Sequence, residues 1–347
     1  MVQMNFASDT AAPVHPDVFP ALVEANEGAA SSYGADALSE TLRARLRTLF
    51  ATDRLAASVV VSGTASNALA LSMLTPSHGA ILCHQAAHIH EHERGAPEFF
   101  TGGAKLLLLP GEHARIDADA LAEALAHRDP AFVHESPAFA LSLSNLTEYG
   151  TVYTPDTLAA LAAAAKAAGL GVHLDGARFA NAVAATGASP AELSWRAGVD
   201  ILSLGLTKTG GISAEIVILF GETAARFGEL EARRKRAGLM PPKARYAAAE
   251  ALAMLEGDLW LTLARRANAA ASRLSTGLSE IDAAEVIHPV EGNLVFVRLT
   301  QTLIDRLDQA GVGFYGRGGE RVCRLVCSWA TRDDEIEALL ALVHRAA

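Results

Sequence analysis

Basic residues are in short supply: 29 Lys and Arg stand against 39 Asp and Glu in 347 residues, a formal charge of −10. That balance disfavours nucleic acid and anionic membranes as partners, though a locally positive site could still take a small anion. No uninterrupted apolar run reaches the roughly 18 residues that a bilayer crossing needs. Met1 to Asp9 lack the basic start and apolar run of a secretory leader, so a cytoplasmic location is expected. Three cysteines are too few for a disulfide framework. Cys323 and Cys327 lie four apart in an apparent strand, about 13 Å between Cα atoms and beyond disulfide reach. Buried thiols in a reducing compartment are the simple reading. Asn145-Leu146-Thr147 matches a glycosylation sequon, but without a leader it counts as chance. Internal repeats and low-complexity tails are absent as well.

What the chain has in quantity is alanine and short apolar runs. Half of it is apolar, a fifth charged and 6% aromatic, a globular profile. Its length allows one large or two ordinary domains with a sizeable core. Alanine favours helix, so stretches such as 158–168 read as helices. Helix and strand patterns alternate, which predicts an α/β fold. Strands are expected at 57–62, 80–84, 105–109, 131–135, 171–175, 201–204 and 215–220. Many are continuous apolar runs, as for strands covered on both faces. Helices are expected at 65–74, 117–126, 155–168 and 191–197.

After residue 220 the texture changes. A charged helix over 222–236 ends in Arg233-Arg234-Lys235-Arg236, a basic end that suits the helix dipole. Pro241-Pro242 then breaks the chain. A long helical stretch over 244–281 follows, then strand 293–299, helix 301–309, strand 321–328 and helix 333–345. The division expected is an N-terminal arm over 1–30, a large domain over 31–236 and a smaller C-terminal α/β domain over 237–347.

Lys208 is the most informative single residue. It follows an apolar run and is flanked by Thr207, Thr209, Gly210 and Gly211. A surface loop is where most lysines sit. Its companion is His173-Leu174-Asp175-Gly176-Ala177-Arg178-Phe179, whose Asp175 closes another apolar run. Strand C-termini are where α/β sheets place ligands. A strand-end Asp and a loop Lys suit a site for pyridoxal phosphate: Lys as the covalent anchor, Asp as partner of the pyridinium nitrogen. Arg178 carries a planar fork suited to a carboxylate, either Asp175 or the substrate's own, or to a structural ion pair.

Two further segments carry polar chemistry. Ser62-Gly63-Thr64 sits between a strand and a helix start, where backbone N–H groups can cradle a phosphate or simply be capped. It is neither a Walker A nor a dinucleotide fingerprint. Cys83 to Glu93 is rich in titratable groups, with His84, His88 and His92 at a spacing that would line one helix face. A shared metal is one use of that row and a solvated face another, but no HExxH is present. A histidine beside a cofactor is the preferred reading, with no metal.

Taken together, Ser8-Asp9-Thr10, Ser62-Gly63-Thr64, Gln85 to His88, the His173–Phe179 run and Leu206-Thr207-Lys208 resemble the low-specificity L-threonine aldolases. These belong to the fold-type-I pyridoxal-phosphate enzymes. The His-x-Asp-Gly-Ala-Arg-Phe run followed some thirty residues later by Thr-Lys is the specific part. The resemblance implies an aspartate-aminotransferase-like large domain, with a mostly parallel seven-stranded sheet, and a smaller domain. It implies pyridoxal 5'-phosphate held as a Schiff base on Lys208, with Asp175 on the pyridine nitrogen and His88 over the ring. Gly63, Thr64 and Thr207 would take the phosphate. Ser8, Arg178 and Arg324 would bind an amino-acid carboxylate. Tyr33 falls where relatives send a loop into the partner's site, within a homotetramer built as a dimer of dimers with shared active sites.

The activity implied is cleavage of L-threonine and related β-hydroxy-α-amino acids to glycine and an aldehyde. β-Elimination or transamination with the same cofactor is the alternative; a metal hydrolase built on the histidines, or a non-catalytic phosphate binder, are readings of other classes. Two departures stand out. Many relatives carry Asn-Thr-His where this chain has Ser144 to Gly150, and Lys208 is followed by Thr-Gly-Gly rather than Asn-Gly or Gly-Leu. The first leaves His88, His90 and His92 as candidates for the general base.

Overall fold

The computed structural model describes residues 4–126, 132–317 and 321–344. Its main sheet has seven strands: β1 (Leu55–Val60), β2 (Ala80–His84), β3 (Lys105–Leu109), β4 (Ala138–Ser144), β5 (Gly171–Gly176), β6 (Ile201–Gly205) and β7 (Glu215–Phe220). Their order is β1-β7-β6-β5-β4-β2-β3. The pairs β5–β6, β4–β5, β2–β4 and β2–β3 are parallel, whereas β7 runs antiparallel to both neighbours.

Both faces of the sheet are covered. Along β7, Ile216 and Ile218 enter one apolar cluster while Val217 and Leu219 enter another. Alternate residues of a strand face opposite ways, so each face has its own core. The helix Gly63–Leu74 supplies Leu69, Ala70 and Met73 to the second cluster. The alanine-rich helix Pro155–Ala167 supplies Leu158, Leu161 and Ala165 to the first. Apart from edge strand β3, where Leu108 is exposed, the continuous apolar runs of the sequence are therefore strands buried on two sides.

Three expected elements differ. In place of the strand at 131–135, Phe132 to Glu135 form a turn with Phe132 and Val133 exposed, and Ala131 lies outside the described residues. The true strand begins at Ala138. Pro137 has no N–H to give to a central ladder and offers only its carbonyl, to Ala80 N at 2.8 Å. The helix at 191–197 shrinks to the 3₁₀ turn Trp195–Ala197, ended by left-handed Gly198. The long helix over 244–281 is two helices, Arg245–Leu255 and Leu259–Ser279. Gly257 and Asp258 both take positive φ at the break.

The second sheet is antiparallel: β8 (Ala284–Val286), β9 (Leu294–Leu299), β10 (Tyr315–Arg317) and β11 (Val322–Val326), ordered β10-β11-β9-β8. Cys323 and Cys327 are buried here and unpaired. Helix Leu259–Ser279 serves both cores, with Trp260 and Leu263 in the main one and Ala270 and Leu274 in the second. The N-terminal segment is tied to this second sheet. Phe6 N donates to Gly313 O and Val326 N to Phe6 O, each at 2.7 Å. That anchoring carries Ser8 and Asp9 to the C-terminal ends of β5 and β6. No described helix is long and apolar enough to cross a membrane.

Candidate active site

Lys208 stands on the 3₁₀ turn Thr207–Thr209, directly after β6. The turn is held from behind. Buried Glu250 accepts the N–H groups of Ile212, Ser213 and Ala214 on one oxygen, at 2.6, 3.0 and 2.9 Å. A Cβ on Gly211 would come within 2.6 Å of that oxygen. Gly210 has φ +131° and is packed against Leu263 and Trp329. The Thr-Gly-Gly that follows Lys208 is thus what this backing requires, since only glycine fits either place. Burial and the nearby Arg178 lower the Lys208 pKa, against the pull of Asp9, Asp175 and Glu215.

Asp175 closes β5 at the neighbouring strand end. It is buried, with Oδ1 accepting from Ala177 N at 2.9 Å and Oδ2 from Asn67 Nδ2 at 2.8 Å. Burial works to raise its pKa, yet His88, the Ala177 N–H and Lys208 bring the net direction below the usual value. The same Asn67 amide donates to Glu93 Oε1 at 2.9 Å, and Glu93 Oε1 lies 2.8 Å from His88 Nδ1. One amide thus joins the strand-end carboxylate to the support of the histidine. A carboxylate on Nδ1 fixes which ring nitrogen carries hydrogen.

These groups meet at a cavity of about 480 Å³ lined by Lys208, His88, His92, Arg178, Ser8 and Arg324, among others. These six, all candidates from the sequence, are therefore brought together, while Asp175 does not itself form part of the wall. Thr207 adjoins Lys208. Gly63 and Thr64 open the helix whose Asn67 reaches Asp175, and Ser62 Oγ caps it through Ala65 N. Helix geometry leaves the first-turn N–H groups of Gly63 and Thr64 without intrahelical partners. Tyr33 is not part of this cavity. Lys235 Nζ lies 4.2 Å from its ring centroid, and its N–H donates to Pro242 O.

The histidine row is not one helix face. His84 closes β2, buried, with Nε2 at 3.0 Å from Gly111 O, and only the short helix His88–Glu91 follows. His90 points to the surface and is absent from the cavity wall. His88 and His92 do pair, rings edge to face with centroids 5.5 Å apart. Among the described residues no three His, Cys, Asp or Glu are grouped to hold a metal ion.

Arg178 faces neither Asp175 nor open solvent. Its Nε and Nη2 grip Asp9 Oδ2 and Oδ1 at 2.6 and 3.0 Å, and Asn293 Nδ2 adds a third contact to Asp9. Burial opposes the charge on Asp9, but Arg178 and Lys208 bring its pKa below the usual value. Arg324 Nη2 donates to Ala7 O at 3.3 Å, and its guanidinium covers the Tyr315 ring at 4.9 Å.

Residues 5–302 match the family described as Beta-eliminating lyase. The chain is 38% identical over 336 residues to a low specificity L-threonine aldolase of Pseudomonas aeruginosa, covering 96% of this chain and 95% of that one. A second aldolase of that description, from Pseudomonas sp., is 36% identical, covering 97% and 96%. The chain belongs to the beta-eliminating lyase family, with the low-specificity L-threonine aldolases. It is a lyase. A Leishmania major threonine aldolase shares the fold, with a TM-score of 0.91 at 24% identity over 99% of each chain. The seven-stranded, mostly parallel sheet with a smaller attached domain is the architecture that the sequence resemblance implied.

Several residues of this lyase site carry no role in the sequence reading: Asp9, Asn67, Glu93, Glu148, Glu215 and Glu250. Asp9 lies in the Ser8–Thr10 motif, Glu93 closes the titratable Cys83–Glu93 segment and Glu148 falls in Ser144–Gly150, so proximity was the available signal for these three. Glu215 opens β7 with its Oε1 3.4 Å from Thr207 N, and burial pushes its pKa up to about 7. Glu250 is distant in sequence from everything it supports, and no local pattern marks it.

Proposed function

We propose that this protein cleaves L-threonine, L-allo-threonine and related β-hydroxy-α-amino acids to glycine and an aldehyde, using pyridoxal 5'-phosphate. The observation that carries this reading is the pairing of Lys208 with Asp175 at adjacent strand ends. A lysine with lowered pKa suits a covalent anchor for an aldehyde, and a buried carboxylate held in its charged form suits a protonated ring nitrogen. The first-turn N–H groups of Gly63 and Thr64 suit a phosphate, and Thr207 would add a further contact. When bound, the cofactor would take up the electron pair released at Cα.

The remaining work falls to the chain's own side chains. Arg324, Ser8 and the Nη1 of Arg178 would hold the substrate carboxylate; Asp9 occupies the other arm of Arg178 and fixes its plane. That grip orients the Cα–Cβ bond for cleavage. His88, steadied through Nδ1 by Glu93, would cover the cofactor ring. Asp175, its carboxylate supported by the Asn67 amide, would keep the ring nitrogen protonated.

The same reading includes a cytoplasmic homotetramer in which Tyr33 reaches a neighbouring subunit's site. It also places the junction of the large and small domains within helix Leu259–Ser279, which feeds both cores, rather than at Pro241-Pro242. The test is incubation of the cofactor-loaded protein with L-threonine, L-allo-threonine and phenylserine while glycine and aldehyde are assayed. Equal amounts of the two are expected. Ammonia and an oxoacid instead would contradict Cα–Cβ cleavage and favour β-elimination.

A further inference from the structure

Cα–Cβ cleavage of a β-hydroxy amino acid needs a group that removes the hydroxyl proton. The segment Ser144 to Gly150 lacks a histidine, but it brings a carboxylate to the cavity. Glu148 lies four residues past the end of β4 and lines the cavity with Lys208, His88 and Arg324. Ser144 Oγ donates to its Oε1 at 2.7 Å and His88 N–H donates to the same oxygen at 2.8 Å. Two donors on one oxygen hold the carboxylate in a single orientation, and Oε2 takes neither of them. The backbone bond from His88 ties this carboxylate to the residue that would cover the cofactor.

We propose that Glu148 is the general base of the reaction: it accepts the β-hydroxyl proton of the substrate. The inference rests on the lyase reading above. The O–H bond breaks with its proton going to Glu148. The electron pair left on oxygen becomes the second bond of the aldehyde C=O. The Cα–Cβ bond breaks with its pair remaining at Cα. Cα then takes up a proton from solvent, Glu148 releases its own to solvent, and glycine and aldehyde leave with atoms and charge balanced.

The surroundings suit the task. Burial pushes the Glu148 carboxyl up to about 7, against the hydrogen bonds from Ser144 and His88 and with the help of charged Asp175. A base that titrates near neutral pH is both available and strong enough to take a proton at working pH. The other titratable groups around it fit this assignment less well. Cys83, at the end of β2, is pushed up to about 12 by burial and by Glu148 itself. Tyr153 is raised by burial and its hydroxyl already serves Ile116 N. His88 has Nδ1 committed to Glu93. Glu91 and His92 stand in contact with each other at 3.5 Å, and Lys208, Arg178 and Arg324 are the cavity's cations.

The test compares wild type with Glu148→Gln, Glu148→Asp and Ser144→Ala, each loaded with cofactor. Glu148→Gln is expected to keep the visible cofactor spectrum and the exchange of the glycine α-hydrogen in heavy water. Its aldehyde release from L-threonine should fall about 10²–10⁴-fold, the usual worth of a general base. Glu148→Asp should retain more activity than Glu148→Gln. The rise of wild-type kcat/KM with pH should have a limb near 7. Ser144→Ala removes a bond that favours the charged carboxylate, so it should move that limb upward. A Glu148→Gln enzyme within threefold of wild type, or an unmoved limb in Ser144→Ala, would overturn the assignment. Loss of the cofactor spectrum in wild type would instead overturn the lyase reading itself.

Discussion

Asp175 and Glu148 belong to neighbouring strand ends, β5 and the loop after β4, and serve the same cavity with opposite electrostatics. Asp175 has an N–H donor on each oxygen and the charges of His88 and Lys208 nearby, so its pKa falls despite burial. Glu148 has donors on one oxygen and a charged Asp175 as neighbour, so burial dominates and its carboxyl rises to about 7. Two carboxylates pushed apart in this way can hold a fixed charge and exchange a proton in the same site. Each carboxylate has two such donors, so it is the neighbouring charge, cationic beside Asp175 and anionic beside Glu148, that decides which is which.

Changes on the Asp175 side should produce the largest losses. Asp175→Asn replaces a fixed charge with a neutral amide, and aldehyde release should fall by about 10²–10³-fold with weaker cofactor retention. Steady-state assays with added cofactor separate the two effects. Asp9→Asn weakens the bidentate hold on Arg178. It should raise KM for L-threonine about tenfold and alter kcat less, which initial-rate measurements can show. Asn67→Ala removes the amide shared by Asp175 and Glu93. It should cost about 1–3 kcal/mol of stability, read by denaturant unfolding, because two buried acceptors lose a donor.

The smallest effect is in the pH dependence of stability without cofactor. Glu148 and Glu215, with folded pKa values near 7 against 4.5 as free groups, bind protons more tightly folded than unfolded. Their contribution is present below about pH 4.5 and is lost as pH rises through 7. Asp175 has the opposite sign: its contribution is present above its unfolded value and is lost as pH falls through its lowered folded pKa. Glu215→Gln and Glu148→Gln should each flatten the fall between pH 4.5 and 7 in a urea-midpoint series. An unchanged slope would break the contrast between the two kinds of carboxylate.

The sheet was readable because its strands are continuous apolar runs. Six of the seven expected strands appear, and the seventh failed because Pro137 delays pairing until Ala138. The 244–281 helix was overextended because Glu256-Gly257-Asp258 carries no strong stop signal beyond one glycine. Ser8, His88, Arg178 and Lys208 share one cavity wall because their segments sit at strand ends and loops, whereas Arg324 lies inside β11 and was named only through the resemblance. The supports were not legible. Glu93, Glu250 and the Asp9–Arg178 clamp join residues far apart in sequence, and a local pattern cannot show which carboxylate meets which donor. Nothing in its local sequence marks Glu148, because the burial that raises its carboxyl to about 7 comes from the tertiary fold.

The most direct test of the lyase account is to reduce the cofactor-loaded protein with borohydride and map the fixed label by peptide sequencing. The account predicts the label on Lys208 alone, and no colour or aldehyde release in Lys208→Ala. A label on another lysine, or a Lys208→Ala protein that still cleaves L-threonine, would contradict it.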